Sequence, residues 1–505
     1  MSNLLEKASI ILTPTAYDNG KVLCVKPTDG SGDFDFSRNS AATRVNAQGL
    51  VENVQILSSN LVTNGDFSDG STDWTLDTGW SIGDNKMTGN SASGDSYQDL
   101  NLSGGEKTFK ITFDCIVNSG QFAVRFINKQ WVSASGTYTI YETTTSSRLF
   151  VDGRASQLFS GSVTNISVVE ITTDTNLPRI NYEGGCGSWL FEPQSTNLVF
   201  QSNTLTAISG GVVTPNAAIS PDGTTNAIKV NFSTGVNSGG TISIGGSSAA
   251  ASTEYTFSFY AKNFSGDGTF RLRLDTDTQA TLVNEDFTAT SDWVRYTHTF
   301  TTDAAASSFG SSSRFRNDTD NNEVLFFGMQ LEQQSYATSY IPTSGSTVTR
   351  NQDLCTNGGS LASINSSEGV LYFEGSGLVN GGQHRVVSLS DGTNDNLIYI
   401  RVDSTANRFT SFARGSSGSY NIITANGINQ TNNNKVALVW DATNFRIWIN
   451  GTESATATIN NLPIAMNTLD FTSPTGSNLF FGNTKCVAVW KEALTDAELT
   501  SLTTI

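Results

Sequence analysis

Histidine is almost missing from this chain of 505 residues, since His298 and His384 are the only two. Acid–base and metal chemistry built on imidazole therefore has little to draw on. Basic residues are also scarce, 29 against 46 acidic ones, which leaves a net charge of −17. A phosphate backbone or an anionic bilayer surface demands a basic face, so nucleic acid and membrane surfaces are excluded as partners. The five cysteines, Cys24, Cys115, Cys186, Cys355 and Cys486, are odd in number and never spaced C-x-x-C. That argues against a disulfide framework or zinc site, and points to free thiols in a chain folded in a reducing cytoplasm. No apolar run is long enough to span a bilayer, so no membrane insertion is expected. The opening MSNLLEKASIILTPTAYDNG lacks a basic n-region, an apolar h-region and a small-residue cleavage site, and is read as carrying no signal peptide. Also missing are the G-x-S-x-G elbow, the Walker loop, H-E-x-x-H, and G-x-G-x-x-G after a strand.

Glycine, by contrast, is abundant (46 residues), and Ser, Thr and Asn are visibly heavy. Short β-branched and aromatic runs sit between Gly, Asn, Asp and Ser turns, the composition of sandwiches and barrels. Hydrophobic residues make up 37%, with 29 Phe, enough for thin sandwiches and too much for a disordered chain. The fold class expected is all-β, several sandwiches in tandem, with three or four domains at this length. Alternation is clean at Phe109, Ile111, Phe113, at Phe122, Val124, Phe126, at Tyr255, Phe257, Phe259, and at Phe270, Leu272, Leu274. His298 is expected as a satisfied sandwich residue beside Trp293 and Tyr296. Near the C-terminus, Thr495-Asp496-Ala497-Glu498 reads as a capping box opening a short helix.

One stretch, Asn176 to Leu198, departs from this texture. It holds Pro178 and Pro193, a glycine cluster at Gly184, Gly185 and Gly187, and the apolar triplet Trp189-Leu190-Phe191. Its Asn176-Leu177-Pro178-Arg179-Ile180-Asn181-Tyr182 and Gly187-Ser188-Trp189-Leu190-Phe191-Glu192-Pro193-Gln194-Ser195-Thr196-Asn197-Leu198 segments join two upstream ones. Those are Arg38-Asn39-Ser40-Ala41-Ala42-Thr43-Arg44 and Gly49-Leu50-Val51-Glu52. Together these segments resemble a module of bacteriophage tail and fibre-like structural proteins. In that module the halves follow one another almost at once, whereas here roughly 120 residues separate them. A whole domain is therefore read as inserted at a surface turn, where insertion is tolerated. The exits Tyr336 to Thr343 and Thr347 to Arg350 are similar to phage tail and head-fibre sequences too.

The insert opens with Asn60 to Phe67 and Trp74, and closes with Gly161 to Val168; both ends resemble a carbohydrate-binding jelly roll. A second such jelly roll follows, closing on Trp293 to Phe300 and Asn322 to Glu332. The last part, with Gly369 to Glu374, Val387 to Gly392, Lys435 to Asp441 and Phe445 to Gly451, resembles the laminin-G/concanavalin-like lectin sandwich. The expected domains are 1–56 with 174–200 (a split virion-attachment module), 57–173, 201–345 and 346–505. The split reading requires Gly49–Val54 to lie beside Leu177–Tyr182.

Sugar rings stack their C–H faces on exposed aromatics, while amides and carboxylates take the hydroxyls. Trp80, Tyr97 and Trp131 lie in polar, loop-like surroundings (GWSIGD, DSYQDL, NKQWVSAS), and Trp448 shares parity with Arg446, opposite Phe445, Ile447 and Ile449. These five, Trp80, Tyr97, Trp131, Arg446 and Trp448, are the carbohydrate-binding candidates. Concanavalin-like glycosidases carry an alternating E-x-D-x-E strand; none occurs in the last part, where Glu374 and Asp391 stand alone, so no catalytic residue is assigned and the chain is read as a non-enzyme. The resemblance to jelly rolls implies a structural Ca²⁺, for which the loops Asp66–Asp69, Asp275–Asp277 and Asp318–Asp320 are candidates. The reading is a virion structural protein: a fibre, spike or tail-associated adhesin, made in the host cytoplasm. It docks to other virion proteins and displays sandwiches to host-surface glycans, as a homo-oligomer with a trimer favoured. The alternatives are a virion-associated glycan depolymerase and a purely structural capsid or tail decoration.

Overall fold

The computed structural model describes residues 2–102, 104–208, 210–232, 238–317, 322–416, 418, 420–459 and 461–505. It is nearly all-β, and among the described residues short helices occur only at Ser2–Lys7 and Asp496–Thr503. The second begins on the expected capping box, with Thr495 and Glu498 bonded reciprocally.

Residues 57–173 and 201–345 each form a two-sheet sandwich. In the first, Gly136–Thr144, Lys107–Ser119, Phe159–Thr173, Lys86–Ala92 and Trp80–Gly83 lie in that order, and Ile56–Leu57 pairs with Phe159–Thr173. A three-stranded sheet of Asp95–Asp99, Arg148–Gly153 and Phe122–Arg125 covers them. The alternation read in the sequence becomes the core: Phe109, Ile111, Phe113, Phe122 and Val124 all point between the sheets. In the second sandwich two five-stranded sheets enclose a stack of phenylalanines, with Phe315 and Phe326 centroids 4.2 Å apart.

The third sandwich draws strands from both ends of the chain. Gly482–Trp490 pairs along one side with Gly369–Gly377. Its other side is shared end to end by Ile10–Leu12, opposite Val487 to Val489, and by Ser188–Phe191, opposite Gly482 to Thr484. Phe34–Ser37 pairs with Leu354–Thr356. The connector with its two prolines is thus a strand of this sheet, and Trp189 is fully buried in the common core. The upstream hairpin of Thr43–Val45 and Val51–Asn53 meets the connector directly. Val45 N–H donates to Asn181 Oδ1 (2.8 Å), and Tyr182 N–H donates to the Val45 carbonyl (2.9 Å).

Between the second and third sandwiches lies a buried network of charges. Arg38 donates to Asp353 Oδ1 (3.1 Å) and to the Leu177 carbonyl (2.9 Å). Arg179 donates to Glu192 Oε2 (2.5 Å), Ser339 Oγ (2.7 Å) and Asp353 Oδ2. Arg350 sits 2.8 Å from Glu192 Oε2 and donates to the Pro193 carbonyl (2.6 Å). Glu332, beside them, accepts from Ser195 Oγ (2.6 Å) and Gln330 Nε2 (2.7 Å). All these arginine and acidic side chains are buried. Burial alone would raise the Glu192 carboxyl, but Arg350 and Arg179 outweigh it and hold its pKa down at about 2.

An unpaired buried charge costs far more than a buried pair yields. Asp353→Asn leaves Arg38 and Arg179 short of a counter-charge and should destabilise the chain by about 3–5 kcal/mol, read by urea unfolding. The Glu192 pKa is depressed, so its contribution to stability is present above the ordinary value of 4.5 and is lost as pH falls through about 2. Acid unfolding followed by circular dichroism should show this loss, and Glu192→Gln should flatten it.

Candidate functional site

The outer face of the three-stranded sheet in the first sandwich gathers aromatic and charged side chains. Strand alternation decides which residues point where. Ser96, Gln98, Leu149, Val151, Phe122 and Val124 turn inward and are buried. The intervening residues form cross-strand rows on the outside: Asp95, Asp152 and Ala123 in one, Tyr97, Phe150 and Arg125 in the next, Asp99 and Arg148 in the third. A bridge between Phe122 and Val132 lays the segment carrying Lys129 and Trp131 alongside. Buried Glu142 fixes that segment by accepting the amides of Phe126 (2.9 Å), Ile127 (2.6 Å) and Asn128 (2.8 Å).

The charges interlock. Asp152 is buried and accepts from Arg125 Nε (3.0 Å), with Lys129 Nζ 2.6 Å away. Arg125 also reaches Asp95 (3.2 Å) and lies over the Phe150 ring, 4.7 Å from its centroid. Arg148, held bidentately by Asp99, covers Tyr97 at 4.1 Å. Trp131 has Lys129 at 5.4 Å and Arg154 at 5.3 Å from its ring. Partial burial, reinforced by a hydrogen bond to Asp152 and its charge, pushes Asp95 up to about 6. Burial works against the charged form of Asp152 too, but the bonds from Asp95, Lys129 and Arg125 prevail and hold its pKa low. Below about pH 6 the pair therefore holds one proton, carried on Asp95. Half-exposed rings beside fixed acceptors and cations can stack a sugar and take its hydroxyls.

Of the five residues expected from sequence, Tyr97 and Trp131 lie at this sheet, Tyr97 against Phe150 and Arg148 and Trp131 beside Lys129 and Arg154. Trp80 is corrected. It opens a strand rather than lying in a loop, turns inward, stacks on Phe159 at 5.4 Å and donates to the Gly94 carbonyl (2.9 Å). Trp448 is corrected as well. It does face away from Phe445, Ile447 and Ile449, but Leu499 and Leu502 of the last helix cover that side and leave it 7% exposed. Arg446 stands beside it in the third sandwich, tied to Asp496 at 2.7 Å. Sequence reading missed Asp95, Arg125, Lys129, Phe150 and Asp152. Strand alternation in DSYQD and RLFVDG is the signal that would have found three of them.

The acidic loops are internally satisfied. Asp66 accepts from the Ser68 amide and hydroxyl (3.2 and 3.0 Å), and Asp275 from Arg273 (3.0 Å). Among the described residues no three metal-ligating side chains cluster, and Asp318–Asp320 lies outside them. His298 packs its ring near Phe287, and His384 Nδ1 accepts from the Ser404 amide (3.0 Å). Among the described residues no helix is long and apolar enough to cross a membrane.

The molecule is thus an all-β chain of jelly-roll and concanavalin-like sandwiches. Residues 378–500, in the third sandwich, match the family described as the concanavalin A-like lectin/glucanases superfamily. No curated protein matches the chain. Solved structures similar to part of it include the CBM40 of a Ruminococcus gnavus IT-sialidase. That match has 16% identity, covers 29% of this chain and 93% of that one, and has a TM-score of 0.26. A heptameric SAP-like pentraxin from Limulus polyphemus has 14% identity, covers 29% of this chain and 72% of that one, and has a TM-score of 0.24.

Asp95 should titrate with a midpoint near 6 in carboxyl NMR. Because its pKa is raised, the stability it contributes is present below its ordinary value of 3.8 and is lost as pH rises through about 6. Asp152→Asn should return the midpoint toward the ordinary value.

Proposed function

We propose that this chain is a non-catalytic, glycan-binding structural protein of a bacteriophage virion. The observation that carries the binding reading is the sheet face where Tyr97, Phe150 and Trp131 surround the Asp95–Asp152–Arg125–Lys129 cluster. Each ring carries a cation on one face, which leaves its other half-exposed surface for a sugar, and the cluster offers fixed donors and acceptors for the hydroxyls. The lectin-family match over residues 378–500 supports the same class of function.

The virion reading rests on the phage-like segments. Their charged residues Arg38, Arg179, Glu192 and Arg350 meet in the buried network, so the motif reads as the signature of a rigid base. On this reading residues 1–56 and 174–200, joined to 346–505, form that base. The inserts 57–173 and 201–345 project from it toward host-surface glycans, in a homotrimer docked to other virion proteins.

A depolymerase is disfavoured at this face. A retaining glycosidase separates its two carboxyls by about 5 Å and an inverting one by more, with room for substrate between, whereas Asp95 and Asp152 are both engaged by Arg125 and Asp152 is also held by Lys129. The absence of reducing-end release from host polysaccharide on prolonged incubation is the expected result, and sustained turnover would replace binding with catalysis.

On a glycan array, Trp131→Ala and Tyr97→Ala should each lower the signal by about tenfold. Trp448→Ala should leave first-sandwich binding intact while destabilising the third sandwich by about 3–5 kcal/mol, read by thermal unfolding. An array with no signal for the parent protein removes the adhesin reading and leaves a structural decoration.

A further inference from the structure

A second cleft, of about 770 Å³, opens where the second sandwich meets the connector. Four distant segments line it: residues 45–51 of the hairpin, 182–185 of the connector, 219–221, and the paired strands carrying Tyr260, Lys262, Trp293 and Arg295. Its volume suits an oligosaccharide-sized or smaller ligand.

Strand register builds the wall. Tyr260 lies directly opposite Arg295, whose guanidinium sits 5.6 Å from the ring centroid. Ala261 pairs with Val294, which sets Lys262 beside Trp293 one position on. Two aromatics and two cations therefore alternate on one surface. Trp293 is held in place by donating its indole N–H to the Ile219 carbonyl (3.1 Å). Arg295 donates to Ser258 Oγ (3.1 Å) and the Thr338 carbonyl (2.7 Å), which leaves its buried Nε without an acceptor. The Lys262 ammonium has no ion-pair or hydrogen-bond partner among the described residues. Glu183, on the facing turn, is exposed and near enough to act on the Tyr260 phenol, which burial keeps protonated. The cleft thus presents two cations against one carboxylate, in a chain whose net charge is −17.

We propose that this cleft binds an anionic saccharide, its ring stacked on Trp293 and Tyr260, its acid group at Lys262 and its hydroxyls toward Glu183. This site is separate from the first-sandwich face and does not depend on it. Carboxylated and sulfated sugars share the required chemistry, and the probes distinguish them.

The test is calorimetric titration of the full chain with trigalacturonic acid, with a sulfated galacto-oligosaccharide of equal length, and with neutral galactotriose. At least one anionic probe should bind, more weakly as salt is raised, and the neutral one should bind at least about tenfold less tightly. Lys262→Met keeps the aliphatic stem and the fold, and should cost the anionic probe about tenfold in affinity. Trp293→Ala should weaken it similarly, while Trp131→Ala in the first sandwich should leave it unchanged. Equal binding of galactotriose, no effect of Lys262→Met in a variant with unchanged thermal unfolding, no binding of either anionic probe, or loss of binding on Trp131→Ala would each overturn the proposal.

Discussion

The architecture hangs on one cluster of buried charge. Arg38, Arg179 and Arg350 come from three widely separated parts of the chain, and Asp353 and Glu192 answer them. Placing ions in a dry interior is costly, and replacing such a cluster with apolar residues is often neutral or better for stability alone. What charges add is geometric demand: a carboxylate with two guanidiniums accepts few arrangements, whereas a greasy interface accepts many. Here the demand fixes the hairpin, the connector and the end of the second sandwich against the third.

That fixed frame explains how a domain can interrupt it. The chain leaves at Ile56–Leu57 and returns at Phe159–Thr173, and these segments pair with each other. An insertion whose ends already touch adds little closure entropy to the host, so the frame need not pay for the distance travelled between. Pairing at the neck also joins the outgoing and returning chain by backbone hydrogen bonds, so the first sandwich stands on a two-stranded stem rather than on two separate tethers.

Much of this was legible in the sequence, and the pattern of what was not has a physical origin. Period-two alternation placed Phe109, Ile111 and Phe113 in a core because one strand contains the whole signal. The helix at Asp496–Thr503 was readable because its cap is local. The sequence reading expected Gly49–Val54 beside Leu177–Tyr182; in the structure Val45 makes the contact, with Asn181 and Tyr182, and Gly49–Val51 lines the second cleft. Trp80 and Trp448 misled because exposure depends on what covers a strand, and the cover came from elsewhere: the facing strands in one case, the last helix in the other. The face at Asp95 and Asp152 was hidden for the same reason, since its rows exist only after three strands align. Nor does composition reveal that the arginines of a sequence motif will meet in one dry place.

The shared edge of Gly482–Trp490 sets an order of events during synthesis. The strand Ile10–Leu12 pairs with residues some 480 positions later, so it emerges long before the partner it needs. The two inserted sandwiches contain their own partners and can close while translation continues. The frame that holds them stays unassembled, with Trp189 uncovered, until the final strand is made. Finished modules thus wait on an unfinished base, and a prematurely terminated chain would carry folded sandwiches with nothing to join them.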